Sequence, residues 1–275
     1  VSWKRIKPLM KETTYEDDSL VQEPGTLEVS DVSFAYPGGE KIYEDFNLSA
    51  TPGQIIGVTG AVACGKSTLG KTFLCEYPYE GRICFHGKEL SGMTKAEQNG
   101  MVGYLGHDPE LFNDSVRNNI LLGDDDDPEK YLKAVCFDGE VAEMEEDMDT
   151  IVGNGGVRLS GGQAQRLALA RTLCHKRPVL ILDDPFSALD RKTEEEVFAN
   201  LRKLAADSIV ILLSHRLYLF PEMDQVLWME DGKVTAGTHE QILEKFPEYA
   251  RLYEAQADGA DAHSTQEGGP DHAEK

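Results

Sequence analysis

Nine consecutive residues, Gly60-Ala61-Val62-Ala63-Cys64-Gly65-Lys66-Ser67-Thr68, constrain this chain more than any other stretch. They satisfy G-x-x-x-x-G-K-[ST], a spacing in which glycines let a loop turn its N–H groups inward around phosphate oxygens. The lysine then reaches the β- and γ-phosphates of a nucleotide, and the hydroxyl of the following serine can hold Mg2+. The flanks agree. Gln54 to Thr59 reads as a short buried strand, and Ser67 to Cys75 as a helix whose N-terminal end faces the anion. A Gly-rich turn beside a surface lysine is the competing account. The strand and helix around the loop make a nucleotide site the better one.

Composition narrows the partners. Acidic residues outnumber basic ones by 49 to 27 in 275 residues, a formal charge of −22. Such a surface repels phosphate backbones and argues against nucleic-acid binding. Acid concentrates in Asp124 to Asp149 and after Glu254, whereas Lys4, Arg5, Lys7 and Lys11 make the start of the chain basic. The five cysteines show neither a CxxC pair nor metal spacing and read as reduced thiols of a cytosolic protein. No apolar run approaches the roughly 18 residues that span a bilayer. The chain begins at Val1, as one piece of a longer polypeptide would.

Patterning along the chain alternates strand and helix, which implies an α/β core with a parallel sheet. Leu27 to Phe34 reads as an edge strand, and Ile42 to Leu48 as a second one beyond the Pro37-Gly38-Gly39 turn. Arg82 to Phe85 and Met101 to Leu105 read as further strands. From His107 to about Lys176 the pattern is helical: Asp114 or Ser115 caps one helix, Pro128 opens another, and Gln163 to His175 forms a long one. Asp124 to Asp127 reads as a solvated loop or helix start without a function of its own. Val179 to Leu182 and Ser208 to Leu213 are apolar runs of strand length. Thr193-x-x-Glu196 and Thr238-x-x-Gln241 read as helix caps, the first helix ending at Ala206. Gln225 to Gly237 reads as a hairpin turning at Asp231-Gly232.

Two more motifs give the loop its context. Leu180-Ile181-Leu182-Asp183 is a buried strand that delivers a carboxylate, the usual metal-holding partner of such a loop. An N-cap aspartate after a strand is the plainer alternative for Asp183. Leu159-Ser160-Gly161-Gly162-Gln163 is far more specific: a serine hydroxyl and glycine N–H groups at a helix N-terminus, a second anion cradle.

With these motifs the chain resembles the nucleotide-binding domain of an ABC transporter over about residues 27–253. The resemblance implies a P-loop NTPase (RecA-like) α/β core with a mixed parallel sheet, an antiparallel β subdomain and an inserted helical subdomain at about 107–176. It places the ATPase domain at 26–256, after a linker at 1–25 from a transmembrane domain and before a disordered tail at 257–275. It implies ATP and Mg2+, a second ABC ATPase domain, and the transmembrane domains of an exporter as partners. Residues Gly60 to Thr68 would hold ATP, Tyr36 would stack on adenine, and Ser67 and Asp183 would position the metal. Lys66, Asp184 and His215 would serve hydrolysis. Leu159 to Gln163 would close over the partner's ATP, and Ser187-Ala188-Leu189-Asp190 would form the loop crossing the dimer interface.

Departures from the family pattern carry the finer expectation. Asp184 stands where the family has a glutamate that polarises the attacking water, and it is one methylene shorter. His107 stands where a glutamine contacts metal or water, which weakens a metal role there. Asn154 stands where exporters often have Glu. An impaired Asp184 beside an intact LSGGQ suggests the degenerate half of a heterodimeric exporter, at the cytoplasmic face of a membrane. A regulatory ATP-binding module without appreciable hydrolysis stays open. So, with less support, does a nucleic-acid-associated ATPase of the same family.

Overall fold

A computed structural model describes residues 23–264, with side chains described through residue 256. The expected linker at 1–25 and the end of the expected tail therefore lie largely outside the described residues. In chain order the strands are β1 (Leu27–Ala35), β2 (Lys41–Ala50), β3 (Ile55–Gly60), β4 (Glu80–Phe85), β5 (Lys88–Glu89) and β6 (Val102–Leu105). They continue with β7 (Asp114–Ser115), β8 (Ile151–Val152), β9 (Val179–Asp183), β10 (Ile209–Leu213), β11 (Gln225–Glu230) and β12 (Lys233–Gly237). The helices are α1 (Lys66–Thr72), α2 (Lys95–Met101), α3 (Val116–Leu121), α4 (Pro128–Ala134) and α5 (Asp138–Ala142). After them come α6 (Gly161–Cys174), α7 (Arg191–Leu204), α8 (His239–Lys245) and α9 (Pro247–Ser264).

A ten-stranded sheet has the order β5-β4-β1-β2-β12-β11-β3-β10-β9-β6. Strands β11, β3, β10, β9 and β6 are mutually parallel. Every residue of β3, β9 and β10 is buried, as expected for central strands covered on both faces. The β5-β4-β1-β2 end is antiparallel. β1 is therefore not the edge strand its sequence suggests: β4 and β2 pair with its two sides, and the short β5 forms the edge. One apolar cluster lies between this antiparallel end, α1 and one face of the central strands. The other joins the opposite face to the helices of the inserted lobe. The β11–β12 hairpin turns at Asp231-Gly232 with both φ positive, the geometry that suits the twist of two paired strands.

Between His107 and Lys176 the chain forms α3 to α6 and one small ladder, β7 with β8, that the sequence pattern does not show. Two-residue strands carry no periodicity to read. The acidic run has local work to do. Asp127 caps α4, Asp126 accepts from Lys130 and Tyr131, and Asp124 lies 3.2 Å from His175. The cap of α7 is Asp190 rather than Thr193. Asp190 carboxylate oxygens accept from the Thr193 N–H at 3.1 Å and its hydroxyl at 2.7 Å, because an acceptor-only side chain in extended conformation stands three residues earlier. That helix ends at Leu204. At the other terminus α9 runs to Ser264, into the stretch that the sequence reading assigns to the tail; the alanines there favour a helix, while Gly259 and the two aspartates do not.

Asn119, fully buried, ties the lobe together. Its amide nitrogen donates to the carbonyls of Phe112, Asp114 and Ser115, and its oxygen accepts from Phe112 N–H and from Arg171 on α6. Asn119→Ala orphans several buried groups at once and is expected to cost about 3 kcal/mol, read as a lower urea midpoint at unchanged slope.

Candidate functional site

The phosphate loop follows β3 and opens α1. Two glycines are required by close approach. A Cβ on Gly60 would sit 2.4 Å from the Met229 carbonyl oxygen. One on Gly65, at φ +102°, would sit 2.5 Å from an Ile42 methyl of β2. Lys66 is nearly buried, and its ammonium folds back onto the loop, donating to the carbonyls of Gly60 at 3.1 Å and Ala61 at 3.0 Å. Anionic oxygens compete well for such a donor, since an opposite charge adds its attraction to the hydrogen bond. The Val62 side chain points into solvent, so this residue offers only its backbone.

The parallel strands end beside that loop. Lys66, Ser67, His107, Asp183, Asp184, Ser214 and His215 line one cleft of about 220 Å³. Asp183 ends β9 and is 6% exposed; its Oδ2 accepts from the Tyr104 hydroxyl at 3.2 Å. Asp184 has φ +52°, a strained value for a residue with a side chain. Its N–H donates to Leu213 at 2.8 Å and its carbonyl accepts from Gln165 at 2.7 Å, so both sides of the residue are held. Burial pushes the Asp184 carboxyl above the usual aspartate range, against the pull of His215 and His107. Its Oδ2 stands 4.0 Å from His107 Nδ1. Burial, and then the charge of Lys66, lower His215, which keeps this imidazole neutral near neutral pH.

Tyr36 does not line the cleft. It is partly exposed on the β1–β2 turn, edge-on to Phe34 (5.1 Å between centroids) and to the exposed Tyr77 (5.3 Å). The LSGGQ segment opens α6 with a reciprocal cap: Ser160 Oγ accepts from Gln163 N–H, and the Gln163 side chain accepts from Ser160 N–H. A Cβ on Gly161 would meet nothing within 4 Å, whereas one on Gly162 would touch Ala188 at 3.2 Å. Leu159 faces Pro109, Glu110 and Asn154 across a groove of about 430 Å³.

Residues without a sequence signal join these pieces. Gln165, 4% exposed, donates to the Asp184 carbonyl and accepts from the Ser187 hydroxyl at 3.0 Å. Arg216 donates to the carbonyls of Ser187 and Leu189, both at 2.7 Å, and to the buried Glu194. Gln256 of α9 accepts from Leu217 N–H and donates to the His215 carbonyl at 2.8 Å. The segment Ser187 to Asp190 is thus held from α6 on one side and from the His215 loop on the other.

A family profile described as ABC transporter matches residues 43–187, more than half of the chain. The chain belongs to the ABC transporter family. Among its relatives in that family is the ATP-binding cassette sub-family B member 6 of Xenopus tropicalis, 32% identical over 252 residues that cover 90% of this chain and 30% of that protein. An ATP-dependent lipid A-core flippase of Pseudomonas fluorescens is 35% identical over 255 residues, 90% of this chain and 42% of the flippase. A bacterial Atm1-family ABC exporter solved with ATP bound superposes with a TM-score of 0.79 at 27% identity, over 93% of this chain and 47% of that one. The chain thus spans well under half the length of these curated relatives. Among the described residues no helix is long and apolar enough to cross a membrane.

Proposed function

We propose that this chain is the ATPase domain of an ABC exporter, and the slow-turnover member of a pair of such domains. The observation that carries the reading is the cleft where Lys66, Ser67, Asp183, Asp184 and His215 converge, with a short carboxylate at the position of the base. Lys66 and the loop amides would stabilise charge on the transferred phosphoryl group. The donors suit Mg2+: a serine hydroxyl and a carboxylate are hard oxygen ligands, and Mg2+ takes the rest of its shell from phosphate and water. Bound by Ser67 and Asp183, Mg2+ would neutralise phosphate oxygens. Asp184 would accept a proton from the attacking water, reaching it poorly, and neutral His215 would meet the γ-phosphate. His107 is the third candidate for the metal; its Nδ1, 4.0 Å from Asp184 Oδ2, favours a contact to that carboxylate instead.

Leu159 to Gln163 would complete the site of a second ABC ATPase domain, more readily a different chain than a copy of this one. The groove beside Leu159 and Pro109 would receive transmembrane domains, with this domain on the cytoplasmic face. The flippase and exporter names of the relatives support export over import. The shortness of Asp184 equally favours a regulatory module that binds ATP and dimerises without appreciable hydrolysis; single-turnover kinetics of the assembled pair separates the two. Equilibrium ATP binding tests the shared premise. Lys66→Ala is expected to weaken it at least about tenfold, or 1.4 kcal/mol. Unchanged affinity in that variant would remove the phosphate loop from the site.

A further inference from the structure

We propose that Tyr104 is a positioning residue for Asp183: its hydroxyl holds one carboxylate oxygen, so that the other is presented to the metal of the nucleotide complex. The assignment rests on the Mg2+ reading above and adds a residue that neither the phosphate loop nor the strand motif contains. β6 pairs in parallel with β9, and Tyr104 stands opposite Ile181. Ile181 and Asp183 are two residues apart on one strand and so share a face of the sheet. That face is covered by α1, whose Gly70 packs against Ile181 and whose first residues are Lys66 and Ser67. The Tyr104 ring packs into the same apolar cluster, and its hydroxyl emerges at Asp183 Oδ2, 3.2 Å away.

This geometry fixes what the hydroxyl does. A carboxylate at the end of a strand turns about χ1 and χ2 unless something holds it, and only some orientations turn an oxygen toward Ser67. The phenol is anchored by its ring, so its donor is fixed in place while the carboxylate is not. A ring without the hydroxyl would fill the same space and leave Asp183 free to turn. Partners of this kind, one step removed from the metal, typically contribute 10- to 100-fold in metal affinity.

The test is Tyr104→Phe, which removes only the hydroxyl, in a fluorescent-ATP binding titration. Binding is followed against Mg2+ concentration and, separately, in EDTA. Equal affinity in EDTA with about tenfold more Mg2+ needed for half-maximal binding supports the assignment. Coincident Mg2+ curves in a wild type that responds to Mg2+ overturn the role of Tyr104 alone. A loss of affinity already in EDTA overturns it too, because the tyrosine would then be serving packing. A wild type indifferent to Mg2+ overturns the metal reading and this assignment with it.

Discussion

Asp184→Glu is expected to raise ATP turnover at this chain's own site by about 10- to 100-fold, measured in the assembled transporter with each site resolved. A base must come within about 2.6–3.2 Å of the proton it takes, and one methylene decides whether the carboxylate spans that distance. A general base contributes on the order of 10²- to 10⁴-fold, so restoring part of its reach recovers part of that range. The backbone of residue 184 is already fixed by Leu213 and Gln165, and the added length therefore projects into the cleft. His107 stands in the way at 4.0 Å. The double substitution with His107→Gln should accordingly exceed Asp184→Glu alone. If neither variant turns over faster, the shortened carboxylate is not what limits this site.

Gly161→Asp is expected to stop hydrolysis at the partner's site, by at least about 100-fold, while ATP still binds beside Lys66. Within this chain the substitution is tolerated, since a Cβ there meets open space. On the proposed reading, the damage would fall on the nucleotide of the second ATPase domain that the LSGGQ segment faces. A carboxylate in a cradle of N–H groups at the start of the 14-residue α6 opposes an incoming phosphate. Removing one donor from such a charge-stabilising cradle already costs about 10²- to 10³-fold in rate. Gly162→Asp is the contrasting variant: its Cβ touches Ala188, so it disturbs the loop from Ser187 to Asp190 as well. Unchanged turnover in Gly161→Asp would mean that the segment serves no nucleotide.

What was legible in the sequence is local. The loop motif, the apolar β3, β9 and β10, the Asp231-Gly232 hairpin and the Thr238 cap each depend on residues within one turn or one strand. The site's supports are not local. Gln165 reaches Asp184 across 19 positions, Arg216 reaches Ser187 across 29, and Tyr104 reaches Asp183 across 79. Only the ladder of parallel strands brings these into contact, and a tyrosine in a strand looks the same whether its hydroxyl meets a backbone carbonyl or a carboxylate. β1 shows the same limit: its alternation indicates one face, not how many strands lie beside it. Asp190 was hidden for a different reason. It reads as part of a loop motif, and its capping of α7 is a second use of the same carboxylate.

The most direct test of the central claim follows ATP cleavage at each site during a single turnover. The chain is assembled with its transmembrane segments and with the companion domain from its own transporter, and the nucleotide on each phosphate-loop lysine is identified after one catalytic cycle. ATP retained intact beside Lys66, with ADP formed on the site that LSGGQ completes, is the predicted outcome. Equal cleavage at both sites would contradict it.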